Sequence, residues 1–245
     1  MKFYTWCNDK KSERLNRILN SAKRQDITIE PIGEGRDIHE GGNYNGKNLW
    51  LYDKVCELPE NEIVVCTDGF DVLYLSDETE IEKKFKKLDT PILYSAEWIC
   101  SHHSRKTCRQ SRKIARNKVF QFLNAGTMMG YAKEIKECLE RIFSYDCKID
   151  DFDDQKMLGQ YYIENRGKMK LDHDCQIFWV DAYFEYDKVD YTEEKFKSSV
   201  HKIKHMYKNG RLFNQTTNTY PCIMHIPGWY GDCLLDEIEK FELKN

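Results

Sequence analysis

Apolar runs of strand length alternate with segments of helical periodicity along the first hundred residues, and this alternation leaves few architectures open. Lys2 to Thr5 reads as a strand, and Lys10 to Lys23, with Leu15, Ile18, Leu19 and Ala22 at helical spacing, as the helix after it. Ile27 to Ile32 returns as strand, Leu49 to Leu58 as helix up to Pro59, Ile63 to Thr67 as strand, Glu78 to Leu88 as amphipathic helix and Pro91 to Ala96 as strand. Strands separated by helices pair in parallel and need cover on both faces. The expected fold class is therefore α/β: a Rossmann-like, mixed, mostly parallel sheet with helices on both faces. Further on, Phe120 to Asn124 reads as strand, and Ala132 to Phe143, Gln155 to Asn165 and Leu234 to Phe241 as helices. Short strands are expected near Gln176 to Val180 and Pro221 to His225. The 245 residues, 40% of them hydrophobic, suffice for one substantial core, and without repeat or linker a single domain over 1–245 is expected.

A net charge of -3, from 38 basic and 41 acidic residues, argues against a protein that coats nucleic acid. No segment is long and apolar enough to span a bilayer. The apolar start is cut short by Asn8-Asp9-Lys10-Lys11, so no signal peptide is read; the expectation is a soluble, cytoplasmic protein, or one of the ER lumen if a targeting segment has been removed. None of the ten cysteines forms a C-x-x-C pair, and several lie in apolar runs, which points to free buried thiols in a reducing compartment. Asn214-Gln215-Thr216 matches the N-glycosylation triplet, which matters only on secretion.

The chemistry concentrates where Ile63-Val64-Val65-Cys66 runs into Thr67-Asp68-Gly69-Phe70-Asp71. Two carboxylates at a strand's carboxyl end repel unless a proton or divalent cation sits between them, and Gly69 lets the chain turn so that both face one point. Ligands of α/β sheets gather at such strand ends. His225 ends the run Cys222-Ile223-Met224 before the turn signal Pro227-Gly228, and could reach the same metal; taken alone, it reads first as a hydrogen-bonded strand-end histidine. Asp150-Asp151-Phe152-Asp153-Asp154-Gln155 is either a solvated helix N-terminus or a sugar-binding or catalytic cluster. Leu123-Asn124-Ala125-Gly126 reads as a strand leading to a small-residue turn, with Asn124 able to donate and accept beside a ligand. Lys47, in a Gly-rich loop, could meet a diphosphate, although an exposed lysine is by default only solvated. Arg105 to Lys118 is a solvated helix face, a lid over an anion, or a nucleic-acid strip that lacks interleaved aromatics.

Taken in order, Gly41-Gly42 with Lys47, Thr67 to Leu73, Ser95-Ala96-Glu97, Leu123 to Gly126, Asp150 to Gln155, Leu171-Asp172-His173 and Met224-His225 resemble the glycosyltransferase domain of the procollagen lysyl hydroxylases. The resemblance runs from the first strand to His225. It implies a GT-A fold, a Mn²⁺-dependent UDP-sugar donor, and transfer of glucose or galactose to hydroxylysine or galactosyl-hydroxylysine of collagen-like chains. By position it implies Asp68, Asp71 and His225 as metal ligands, Lys47 as a diphosphate contact, Thr5 and Gly126 beside the donor, and Asp153, Asp154, Asn124 and Glu97 on the sugar and acceptor side. Phe152 interrupts the family's acidic run, Ile-Pro-Gly follows His225 where Gly-Asn is usual, and Ser101 stands where an aromatic gate is expected.

The implied chemistry is metal-assisted departure of the diphosphate, with Asp153 or Asp154 orienting the acceptor hydroxyl or stabilising an oxocarbenium-like carbon. Two rivals stand beside it: an aspartate-dependent phosphohydrolase, whose paired acids are usually two residues apart rather than three, and a non-catalytic sugar-nucleotide or glycan binder.

Overall fold

The computed structural model describes residues 1–40, 45–101, 103–145, 153–181, 206–227, 235–236 and 238–240. Gly41, Gly42, Asp150, Asp151, Phe152 and Gly228 lie outside the described residues. The elements are β1 (Lys2–Trp6), α1 (Glu13–Lys23), β2 (Glu30–Ile32), α2 (Asn45–Val55), β3 (Ile63–Asp68), β4 (Val72–Tyr74), α3 (Glu78–Leu88), β5 (Ile92–Glu97), α4 (Arg105–Ile114), β6 (Phe122–Tyr131), α5 (Ala132–Phe143), α6 (Asp154–Glu164), β7 (Lys170–Asp172), β8 (Phe178–Val180), β9 (Tyr207–Lys208), β10 (Arg211–Leu212) and β11 (Ile223–His225). Where a closing helix was expected, residues 235–236 and 238–240 are helical, and Leu235 and Ile238 are buried.

Six strands form the main sheet in the order β2-β1-β3-β6-β5-β7. All run parallel except β6, which is antiparallel to both β3 and β5, so the sheet is mixed and mostly parallel as expected. Alternate side chains of each strand enter opposite cores. Tyr4, Val64, Cys66 and Tyr94 pack with Trp50 and Leu51 of α2, Ile135 and Leu139 of α5 and Leu158 of α6. Phe3, Val65 and Leu93 pack on the other face with Ile18 and Ala22 of α1 and Ile81 and Phe85 of α3. Tyr74, Phe178 and Ile223 join that second core from a three-stranded sheet, order β4-β11-β8, in which β11 is antiparallel to β4 and parallel to β8.

Four local expectations are corrected. First, the strand expected to stop at Asn124 continues to Tyr131, and Asn124-Ala125-Gly126 is no turn. Ser95 faces Asn124 but Tyr94 faces Met128, so β6 bulges through residues 125–127 against β5. A bulge tolerates small residues and re-aims side chains, which is why the sequence looks like a strand end there. Second, α2 begins at Asn45 rather than Leu49, which carries Lys47 into the helix and out of any loop. Third, Gly69 does not serve by a positive φ: a Cβ there would lie 2.1 Å from the Trp6 carbonyl oxygen, so the residue is needed for close approach to β1.

Fourth, Cys100 and Cys108 are joined by a disulfide, against the expectation of free thiols throughout. Cys108 lies one turn into α4 and faces the loop that leaves β5, with the two Cα atoms 6.0 Å apart, within disulfide reach. Cys7, Cys56, Cys66, Cys138, Cys175 and Cys222 are free thiols, and Cys147 and Cys233 lie outside the described residues.

Candidate metal and donor site

The carboxyl ends of β1 and β3 and the bulge of β6 converge beside the end of β11, and the charged residues singled out from the sequence collect there. Asp68 is the last residue of β3, and Asp71 immediately precedes β4. His225 arrives because β11 pairs with β4, His225 opposite Val72, and the Ile226 amide donates to the Asp71 carbonyl (3.0 Å). The imidazole Nε2 then lies 3.4 Å from Asp71 Oδ1 and 3.6 Å from Asp68 Oδ2. One ligand atom from each of Asp68, Asp71 and His225 lies within 4.8 Å of the others. His225 is almost fully buried, and both its ring nitrogens and Asp71 Oδ1 have no hydrogen-bond partner; at 3.4 Å the pair attracts electrostatically without a formed bond. Burial opposes the charged forms of both groups. Their mutual attraction outweighs it, holding the Asp71 carboxyl below and the His225 imidazole above their usual ranges.

These observations fit a divalent cation. Orphaned buried lone pairs are costly unless something fills them. Two carboxylate oxygens and one imidazole suit an ion that tolerates mixed O and N donors and leave coordination positions open. Gly126 forms the wall: a Cβ on it would come 2.2 Å from His225 Cε1 and 2.6 Å from Asp68 Oδ2.

Lys47 is not a solvated lysine. Its ammonium donates to Asp68 Oδ1 (2.9 Å), lies 3.4 Å from Asp154 Oδ2 and sits 5.2 Å from the Trp6 ring centroid. Burial alone would lower its proton affinity, but Asp68 and then Asp154 raise it well above the ordinary lysine range. Burial raises the Asp154 carboxyl, and Lys47 opposes that rise. The acidic run thus divides. Asp153 caps α6 by accepting from the Lys156 amide (2.9 Å), the helix-terminus arrangement, whereas Asp154 is buried and turned towards Lys47.

Behind this layer lies a buried amide and carboxyl network. Glu97 Oε2 accepts from Asn124 Nδ2 (3.2 Å), and its Oε1 accepts from Ser101 Oγ (2.6 Å) and Gln155 Nε2 (2.9 Å). Gln155 Oε1 accepts from the Ala125 amide (3.0 Å) and Asn124 Oδ1 from the Gly126 amide (2.9 Å), so the network fixes the bulge. Two expectations change accordingly. Glu97, expected on the sugar side, is fully enclosed with both oxygens occupied, its Oε2 by Asn124. Thr5, expected beside the nucleotide, is also enclosed, its hydroxyl shared between the Thr67 (3.0 Å) and Asp68 (3.1 Å) carbonyls, where it anchors the end of β3. Ser101, where an aromatic gate was expected, is buried in the same network. Gln155 and Ser101 were not named as site residues. The only signal was the amide placed directly after the acidic run.

A family model described as the PLOD GT domain matches residues 4–235. Among curated proteins, the chain is similar to the multifunctional procollagen lysine hydroxylase and glycosyltransferase LH3 of Rattus norvegicus, 30% identical over 179 residues, covering 68% of this chain and 23% of that protein. It is similar to procollagen-lysine,2-oxoglutarate 5-dioxygenase 2 of Mus musculus (26% over 180 residues, 69% and 24% covered) and to an uncharacterized protein of Acanthamoeba polyphaga mimivirus (26% over 201 residues, 77% and 38% covered). The chain spans about a quarter to two fifths of the length of these relatives. A solved glycosyltransferase involved in glycosylation of the major capsid of PBCV-1 superposes with TM-score 0.52 at 8% identity, covering 98% of both chains. The fold is of the GT-A type.

Proposed function

We propose that this chain, which belongs to the PLOD GT domain family, moves glucose or galactose from a UDP-sugar to a hydroxyl acceptor, hydroxylysine or galactosyl-hydroxylysine of a collagen-like protein, with Mn²⁺ as its metal. That it is a glycosyltransferase follows from the family; donor, metal and acceptor are the reading advanced here. One observation carries it: Asp68, Asp71 and His225 present converging ligand atoms at the carboxyl end of a GT-A sheet, those of Asp71 and His225 without a hydrogen-bond partner, with a buried lysine beside them. When bound, the divalent ion supplies Lewis-acid neutralisation of the diphosphate as the sugar departs.

The chain's own residues do the rest. Lys47 keeps a fixed positive charge at the strand ends and gives the diphosphate a second electrostatic partner. Gly126 lets the donor site close around Asp68 and His225. Asn124, oriented by Glu97, offers its amide to a sugar hydroxyl. Asp153, partly exposed at the tip of α6, is placed for the acceptor hydroxyl, while Asp154 stays with Lys47. The Cys100–Cys108 cross-link supports an oxidising compartment over a cytoplasmic one.

The deciding experiment incubates the protein with Mn²⁺ and a panel of UDP-sugars and follows UDP release with and without hydroxylysine peptides. Release stimulated by the peptide is the expected result. Calorimetric UDP-sugar binding without transfer or hydrolysis would replace this reading with that of a sugar-nucleotide binder.

A further inference from the structure

Between Glu97 and Phe122, which pair across β5 and β6, the chain leaves the sheet and returns to it at the edge that carries the candidate site. The helix of that excursion is α4. Its start is pinned to the site: Ser101 bonds to Glu97, the disulfide ties Cys100 to Cys108, and His103 Nε2 lies 2.9 Å from the Leu123 carbonyl oxygen. From Arg105 to Lys118 the segment carries seven cations and no acid, leaving 31 basic against 41 acidic residues elsewhere. Arg105, Lys106, Arg109, Arg112, Lys113 and Arg116 are all exposed, as is Lys118. None has an ion-pair partner among the described residues; Arg112 only stacks over Phe122.

A structural role does not account for this placement. Basic residues in the last turn complement the helix dipole, but Arg105 and Lys106 occupy the first turn, where the dipole opposes them and no acid is present. Like charges this close raise the free energy of the isolated fold. The strip also continues into a concave feature. A cleft of about 210 Å³ between the ends of α4 and α6 and β7 is bordered by Arg116, Arg166, Lys170, Tyr162 and His173 over the apolar floor of Leu93 and Met169. Asp174 is the exposed acid on its rim, while Asp172 is turned inward to backbone amides.

We propose that α4 and this cleft form the docking surface for an acidic polypeptide segment of the acceptor substrate, laid along Arg105 to Arg116 with one side chain seated in the cleft. The identification of that polypeptide as acceptor rests on the transferase reading above; the surface itself does not. Polypeptide is favoured over other polyanions by chemistry. The strip has no interleaved aromatic residues on which bases stack. The buried face of α4 is Thr107 and Ser111, which gives a bilayer no apolar face to take up.

The test is direct binding, which needs no turnover and so stays readable if transferase activity is absent. A fluorescein-labelled glycine-rich peptide with one hydroxylysine flanked by Asp and Glu is titrated with the protein, alongside a twin flanked by Lys and Arg. The acidic peptide should bind preferentially, more weakly as salt is added, and about tenfold more weakly to the R109E/R112E/R116E variant. Should that variant lose its fold, Arg116→Gln with Arg166→Gln removes the cleft charges without reversal and should weaken binding about threefold. Equal binding of the two peptides, or unchanged binding by folded variants, overturns the proposal. So does tighter binding of a duplex oligonucleotide or of phosphatidylserine vesicles through the same arginines.

Discussion

Gly126 turns a bare α-carbon to His225, so close that one methyl group there would come within 2.2 Å of the imidazole Cε1. Gly126→Ala must therefore displace either the imidazole or the β6 bulge. The expected result is a folded protein whose Mn²⁺ affinity, measured by calorimetry, falls about 10- to 100-fold. Unaltered metal binding would show that the wall is not needed.

Asp68→Ala and Asp71→Ala each remove one donor from the proposed set. Metal-dependent UDP-sugar turnover should fall by more than about 100-fold in either variant, and chelation of the wild type should do the same, reversibly on return of Mn²⁺. Full activity in both purified variants would refute the assignment.

Lys47 is the shared cation of Asp68 and Asp154, with its side chain only 12% exposed. Lys47→Met leaves those carboxylates facing each other without it. Urea denaturation of the metal-free variant should show a loss of about 3 kcal/mol, in line with breaking a buried pair. Added Mn²⁺ should return part of that stability, and KM for the donor should rise more than kcat falls. Wild-type stability in the metal-free variant would contradict the ion-pair reading.

Gln155 joins Glu97, Ser101 and the Ala125 amide. Gln155→Leu removes one of the donors to the buried Glu97 carboxyl and strands the Ala125 amide, for a cost of about 1–3 kcal/mol. Turnover should drop although Gln155 touches no substrate, and Gln155→Glu should be worse, because it sets a second carboxyl against Glu97.

Burial raises the Asp172 carboxyl to about 6, against the lowering effect of the Phe178, Ile177 and Gln176 amides it accepts from. The native state thus holds this proton more tightly than the unfolded chain, whose ordinary value is 3.8. Its contribution to stability is full below the unfolded value and is lost as pH rises to about 6, a change of about 3 kcal/mol. His173 beside it acts in the opposite sense, since burial lowers its imidazole and native stability gains as pH rises towards 6.5. Comparing urea denaturation of wild type and Asp172→Asn across this window isolates the carboxyl: the variant should lack the decline. Parallel profiles would show that the three amides keep Asp172 ionised.

What could be read from the sequence followed from periodicity. The β3 run and the amphipathic α3 and α5 carry their own burial pattern, so β-α alternation and a mostly parallel sheet are legible in the residues alone. The direction of β6 was not, because side-chain alternation is the same in either sense. β4 is only three residues long and is defined by its pairing with β11. Asp68 and Asp71 stood out because a strand end displays them, but the environment of Lys47 depends on carboxylates 21 and 107 positions away. No local pattern announces that burial. Glu97 was expected on the sugar side through the family resemblance; packing is what reveals Ser101 and Gln155 closed over it. The Cys100–Cys108 pair likewise depends on α4 folding back on its own approach loop.

The pairing of His225 with Val72 also sets an order of events during synthesis. Asp68 and Asp71 leave the ribosome more than 150 residues before their imidazole partner, so the cluster cannot close until nearly all of the described polypeptide has emerged. A nascent chain stalled anywhere before β11 would carry the acids without the histidine, making the emergence of β11 the gate to a loaded centre.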